Sequence, residues 1–383
     1  MQKGRLFNVA AAVGVLGCMA GLLLFPAPCA LAARGGLAVC AQTLVPSLFP
    51  FLVLATVFIR TGLASYLGRP FEGLMRRLFW LPGSCAGVLL LGITAGYPVG
   101  AKAVTDMYRQ GHCTAAQAKR MLCFCSNAGP AFVVSVAGAA LFGRVEAGFW
   151  LLACQTAASF LCGAGLGLWA RRHEHSPLRG RAACRRIEWK NAAPAMADAA
   201  LAMVRVCGFA VFFAVFLALM EQTGLPAALT ALAEKLGLFP HVAEGLEKGF
   251  WEVTAGLTAL AQGNTSHPLA LATAGLLLAW SGVSVHCQVL AYLGEAGLSA
   301  RQYLLGKCAC ALLTGILAYL TGRFLAPVPH APVFSLISGA PVWAAALHVS
   351  LLETAGLGMA GALFVKKSGK KTPSTCFSGA DGV

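Results

Sequence analysis

Charge is what this sequence has least of. Only 11% of its 383 residues are charged, and just 14 are acidic. A soluble domain usually carries about a quarter charged residues, so this chain cannot clothe a water-facing surface. The signatures of common catalytic machinery are missing as well. There is no G-x-S-x-G, no H-E-x-x-H and no Walker loop. Acidic residues within apolar stretches are too few and scattered for an aspartyl pair, so an enzyme is not expected. The 15 cysteines include no C-x-x-C pair, which removes the usual zinc and redox spacings. Most sit inside apolar stretches (Cys18, Cys154, Cys162, Cys207, Cys287) and read as small packing side chains. No metal and no organic cofactor are expected.

What the chain has in abundance is hydrophobic residues, 58% of the total. Apolar stretches near 20 residues recur from end to end, each long enough to cross about 30 Å of hydrocarbon. Full spans are read at 6–25, 41–59, 122–142, 149–170, 199–220, 269–293, 303–325 and 342–365. Two further apolar segments, 84–104 and 249–262, are interrupted by glycine, and the second is too short to span. Lys3 and Arg5 before the first apolar run resemble a signal peptide. That run is about 20 residues, longer than the usual h-region of about 7–15, so a retained first helix is expected. The fold class is therefore all-α: a polytopic membrane protein with about eight spanning helices and two re-entrant hairpins.

The formal charge of +15 sits in short loops, as the positive-inside rule requires, and nucleic acid is excluded as a partner. The 170–191 loop holds Arg171, Arg172, Arg179, Arg181, Arg185, Arg186 and Lys190. The tail holds Lys366, Lys367, Lys370 and Lys371. Both are placed on the cytoplasmic side with the N-terminus, which works only if 84–104 and 249–262 dip into the membrane and return. The two halves also echo each other. Thr61-Gly62-Leu63 recurs as Thr223-Gly224-Leu225, Leu78-Phe79 as Leu238-Phe239, and Thr94-Ala95-Gly96 as Thr254-Ala255-Gly256, in the same order and about 160 residues apart. With hairpins entering from opposite sides, the repeats are inverted. Many secondary transporters have this architecture, with substrate at the midplane beside broken helices.

Four constellations carry the chemistry. Gly92, Gly96 and Gly100 recur every fourth residue up to Lys102, with Tyr97-Pro98 between them. The pattern reads either as one tightly packed helix face or as a break against a wet cavity. Ser126 and Asn127 precede Gly129-Pro130 in mid-span, as interhelical glue or as ligand groups. Glu252, with Thr254, lies in the second hairpin, and an intramembrane carboxylate is by default functional. It is expected to be protonated, paired with Lys102, or holding a coupling proton or Na⁺. Ser281, Ser284 and His286 occupy the matching place in repeat two, His286 as a proton carrier or a structural histidine. Glu353 is read as structural. The expected substrate site is thus Thr94, Gly96, Tyr97, Lys102, Ser126, Asn127, Glu252, Thr254, Ser281 and Ser284, with Glu252 and His286 for the coupling ion.

At these residues the chain resembles a known family. Pro46-Ser47-Leu48-Phe49-Pro50-Phe51, Leu81-Pro82-Gly83, Gly96-Tyr97-Pro98-x-Gly100-Ala101-Lys102 and Asn127-Ala128-Gly129-Pro130-Ala131-Phe132 are similar to motifs of the YlbJ-type sporulation integral membrane proteins, which carry nucleoside-recognition (Gate) domains. The resemblance implies an architecture like that of concentrative nucleoside transporters. It also implies a cargo, dipicolinic acid leaving the mother cell across the outer forespore membrane. The cysteine-rich spans and arginine-dense central loop are not features of that family.

The expected organisation is an N-terminal helix and connector (1–40), a first Gate-like repeat (41–170), a basic cytoplasmic linker (171–197), a second, inverted repeat (198–325), a C-terminal helix (326–365) and a basic tail (366–383). The expected function is secondary transport of a small heterocyclic anion. A nucleoside or nucleobase carrier and a non-transporting assembly factor for spore maturation are the rivals. The bilayer and a small-molecule substrate are the expected partners, and a homo-oligomer is left open.

Overall fold

A computed structural model describes residues 2–61, 63, 70–174, 188–264 and 267–322. The span 342–365, Glu353, the lysine-rich tail and the arginines of 175–187 lie outside the described residues. Among the described residues every regular element is helical and there is no strand. Among the described residues, four helices are long and apolar enough to cross a membrane: Val145–His173, Trp189–Gln222, Pro268–Glu295 and Ala300–Gly322. Counting each sharply bent pair as one span gives six. The protein is an integral membrane protein of the all-α, polytopic kind.

Among the described residues, some of the spans read from hydropathy are bent or interrupted, and the cause is local. The 122–142 segment is interrupted between Phe124 and Ala131, because Pro130 has no amide to continue the ladder. The first span bends by 102° into its successor at Phe25, with Pro26 opening the second helix.

The chain opens with α1 (Gln2–Leu24), α2 (Pro26–Val39) and α3 (Val45–Arg60). A short helical stretch, Pro70–Phe79, then turns by 97° toward the next apolar segment. From there one order of elements occurs twice. First come α4 (Ala86–Thr94) and α5 (Val99–Arg109), then α6 (Ala115–Phe124) followed across a break by a π-helical stretch (Ala131–Leu141), then the long α7 (Val145–His173). After α8 (Ala192–Gln222) and α9 (Leu225–Lys235) come α10 (Pro240–Trp251) and α11 (Val253–Ala261), then α12 (Pro268–Trp280) and α13 (Gly282–Glu295), then the long α14 (Ala300–Gly322). Each series is two short arms, a broken helix and a long helix.

Small residues let these elements close on each other. A Cβ on Gly275 would sit 3.1 Å from the Ala318 methyl, so α12 and α14 approach to near backbone contact. The long helices are joined by a Trp150 Nε1–H donating to Thr321 Oγ1 at 3.0 Å. Arg120, buried in α6, pairs with Glu174 beyond the end of α7 and donates to the Trp80 carbonyl at 2.9 Å. A buried guanidinium keeps its charge only with such partners.

Candidate functional site

The two pairs of short arms are hairpins. In the first, a Cβ on Gly100 would meet the Gly92 Cα at 2.9 Å, so α4 and α5 lie back to back around a turn at Ala95–Pro98. Gly96 makes the turn at φ +75°, a conformation open to glycine and strained for other residues. The spacing of Gly92, Gly96 and Gly100 therefore does not mark one bare helix face. Gly92 and Gly100 are partners across the hairpin, and both press on the carbonyl of Cys125.

The second hairpin pairs Gly245 and Gly249 of α10 with Gly256 and Leu260 of α11. Its turn is the single extended residue Glu252, at φ −144° and ψ 121°. The Glu252 carboxylate accepts from the amides of Thr254 at 3.0 Å and Ala255 at 2.7 Å. It thus caps α11, where the free amides and the helix dipole both favour an anion. This hairpin begins at Pro240, earlier than the apolar run starting at 249 suggested. The reason is that α10 carries Glu244, Glu247 and Lys248 beside its glycines, and hydropathy hides such an arm.

Each hairpin tip rests on the break of the neighbouring helix. The Tyr97 amide donates to the Asn127 carbonyl at 2.6 Å. At the second tip, a Cβ on Gly282 would be 3.0 Å from the Trp251 carbonyl and the Val253 amide, and 3.1 Å from the Glu252 Cα. Ser281 and Gly282 both have positive φ, 80° and 79°. Ser281 therefore stores backbone strain of the kind that gathers at functional sites. The tripeptides Thr94-Ala95-Gly96 and Thr254-Ala255-Gly256 do not occupy equivalent places: the first ends an arm and enters the turn, the second follows the turn and opens an arm.

The first break leaves main-chain carbonyls without helical partners, and specific groups fill in. Phe124 O accepts from the Asn127 side-chain amide at 2.8 Å. Ser126 O accepts from the Lys307 ammonium at 2.5 Å, Asn127 O from Tyr97, and Ala128 O from Gln155 Nε2 at 2.9 Å. Buried carbonyls need such partners. The Asn127 side-chain oxygen accepts from Ser159 Oγ at 3.0 Å.

Between the two tips lies a cavity of about 1060 Å³. Its polar lining includes Thr94, Ser135, Glu252, Thr254, Thr258, Gln262, Ser284 and Gln288, while α2, α3 and α8 contribute mostly apolar residues. Tyr97 and Pro98 reach it from the first tip. Gln288, 6% exposed, holds its Oε1 without a hydrogen-bond partner among the described residues.

Of the residues expected at the site, the structure brings Thr94, Tyr97, Glu252, Thr254 and Ser284 to this cavity. Gly96 shapes the tip behind them. Ser126, Asn127 and Ser281 lie in the breaks, outside the lining, where Asn127 is spent on Phe124 and Ser159. Lys102 is also outside the lining, and the pairing expected with Glu252 is not formed, since its ammonium bonds Asp106 within its own arm at 2.6 Å. The cation on the cavity wall is Lys248, which pairs with Glu244 at 2.9 Å and Glu221 at 3.1 Å. His286 is buried away from the cavity, its Nδ1 2.8 Å from the Tyr303 hydroxyl. Sequence reading missed Lys248, Gln288 and Lys307. Lys248 stands just before the apolar segment 249–262, while Gln288 and Lys307 are polar groups within apolar spans, a signal that could have found them.

The family model for nucleoside recognition (Gate) matches residues 41–145, which include the first hairpin and first break. The chain is also similar to the sporulation integral membrane protein YlbJ of Bacillus subtilis (strain 168), at 23% identity with 79% of each chain covered. No solved structure matches. The resemblance read from the motifs is borne out by both matches.

Proposed function

We propose that this chain, alike over most of its length to a sporulation integral membrane protein, is a non-enzymatic secondary carrier of a small heterocyclic anion, and that dipicolinic acid is its cargo. The observation that carries this is the direction of four half-helices. The arms Val99–Arg109 and Val253–Ala261, the π-helical stretch Ala131–Leu141 and the half-helix Gly282–Glu295 all begin at a tip or a break. Pro98, Ala131, Val253 and Ser284, at or near their first residues, line the cavity. Four positive helix ends thus converge on one cavity, an arrangement that favours anions. Only one of them is neutralised by a side chain, the arm capped by Glu252; the other three have no side-chain cap. The apolar lining suits the faces of a planar ring, and the orphaned Gln288 Oε1 can accept from an O–H or N–H of the cargo.

Glu252 is occupied as a cap, which limits its repulsion of an anionic cargo. Coupling to a proton or Na⁺ would act through this residue. The two element series are read as the inverted repeats that alternate access between the membrane faces. A nucleoside is the rival cargo, favoured by the size of the cavity. The test is uptake of labelled pyridine-2,6-dicarboxylate against labelled nucleosides in proteoliposomes. Saturable uptake of the dicarboxylate supports the proposal, and uptake of nucleosides alone transfers the reading to them. Uptake of neither favours an assembly factor.

A further inference from the structure

Lys307 stands in the second turn of the apolar helix α14 and is 0% exposed. Among the described residues it forms no ion pair. The titratable groups near it include the thiols of Cys123, Cys162 and Cys310 and the imidazole of His286. An ammonium buried among neutral groups is tolerated only where dipoles replace the missing counter-ion. Here one does. The Lys307 Nζ–H donates to the Ser126 carbonyl at 2.5 Å, just past the C-terminal end of α6, where the helix dipole gathers negative charge.

Residue types explain why that carbonyl is available. In a continuous helix Ser126 O would accept from the amide four residues on. That residue is Pro130, which has no amide hydrogen. The carbonyl is orphaned by the same proline that breaks the helix. Unwound carbonyls and half-helix C-terminal ends in transporters are where diffusible cations bind. At the second break, Ser281–Gly282 rests against Glu252 and no lysine is bonded there among the described residues. The next carbonyl after Ser126, that of Asn127, holds the first hairpin tip through Tyr97. A charge at Ser126 is therefore one residue from the contact that fixes the tip.

We propose that Lys307 is a tethered cation: its ammonium fills the carbonyl site of the first break that a diffusible ion would otherwise fill, and so holds the break and the first hairpin tip in place. Lys307 is then a positioning residue, acting through Ser126 and Asn127 and not by touching the cargo. Its role in transport rests on the carrier reading; the cation site itself does not.

Removal of the side chain opens the site to an added cation. Purified Lys307→Ala in detergent should unfold at a lower temperature than wild type in choline buffer. Addition of n-propylammonium or sodium at equal ionic strength should raise that temperature in a concentration-dependent way, as a ligand binding only the native state must. Wild type should not respond. A variant as stable as wild type in choline, a variant that no cation restores, or an equal response from wild type overturns the proposal. If Lys307→Ala folds in neither buffer, Lys307→Gln decides, because its amide can still donate to Ser126 without charge. Severalfold loss of dicarboxylate uptake by folded Lys307→Gln supports the tethered cation, and full uptake overturns it. Wild-type liposomes that take up no candidate cargo refute the carrier reading instead, and leave the unfolding comparison as the test of the cation site.

Discussion

The main-chain amide of Tyr97 donates to the carbonyl of Asn127 at 2.6 Å, tying the tip of one membrane hairpin to the gap in a neighbouring helix. The second hairpin reaches its broken helix by close packing of Glu252 on Gly282. Both contacts depend on residues that lack bulk or a regular conformation, so they can be tested by adding bulk.

Gly92 and Gly256 have no room for a side chain: a methyl on Gly92 would collide with the Cys125 carbonyl, and one on Gly256 with the Gly249 backbone. Gly92→Ala and Gly256→Ala should each destabilise by about 1–3 kcal/mol, read as a lower unfolding temperature in detergent. Gly14→Ala is the control, since nothing lies within 4 Å of a Cβ there. Equal stability of all three variants would contradict the hairpin packing.

Ser281 adopts φ 80°, in the left-handed region. Ser281→Gly should be neutral or stabilising, whereas Ser281→Val should cost on the order of 1–2 kcal/mol or more, because a β-branched residue fits that region poorly. Thermal unfolding of the pair measures the difference.

Glu252 holds two amides of the second arm. Glu252→Ala should lose about 1 kcal/mol of cap energy, while Glu252→Gln, with one acceptor oxygen, should lose less. In proteoliposomes Glu252→Gln should also alter the dependence of uptake on proton or sodium gradients. An unaltered dependence removes Glu252 from coupling and leaves it a cap.

Lys248 lines the cavity and Lys102 does not, being engaged by Asp106. Lys248→Ala should therefore reduce uptake of a dicarboxylate more than uptake of a neutral nucleoside. Lys102→Ala should lower both slightly and alike. The opposite pattern, with Lys102 selective, would move the anion site to the first hairpin arm.

Much of this arrangement was legible in the sequence. Low charge and recurrent apolar stretches gave the membrane class, and the requirement that basic loops share one side called for two returning segments. Glycine and proline marked both tips and the first break. Other features were hidden for physical reasons. The arm Pro240–Trp251 is amphipathic, so hydropathy alone stops at 249. Gly92 and Gly100 have helical spacing yet belong to opposing arms, and one-dimensional periodicity cannot tell these apart. Asn127 carries the right chemistry for a ligand, but its side chain is taken up by the Phe124 carbonyl that the break leaves open and by the Ser159 hydroxyl. Lys307 is readable as a charge inside the apolar span 303–325, but nothing in one dimension ties it to the Ser126 carbonyl 181 residues away.

The central claim is that four converging half-helix starts make an anion site. Equilibrium binding of labelled pyridine-2,6-dicarboxylate to the purified protein in detergent, competed by benzoate, unlabelled dicarboxylate and uridine, tests it most directly. Saturable binding displaced by unlabelled dicarboxylate, weakly by benzoate and not by uridine is the expected result. Absence of saturable dicarboxylate binding, or displacement by uridine at lower concentration than by the dicarboxylate itself, contradicts it.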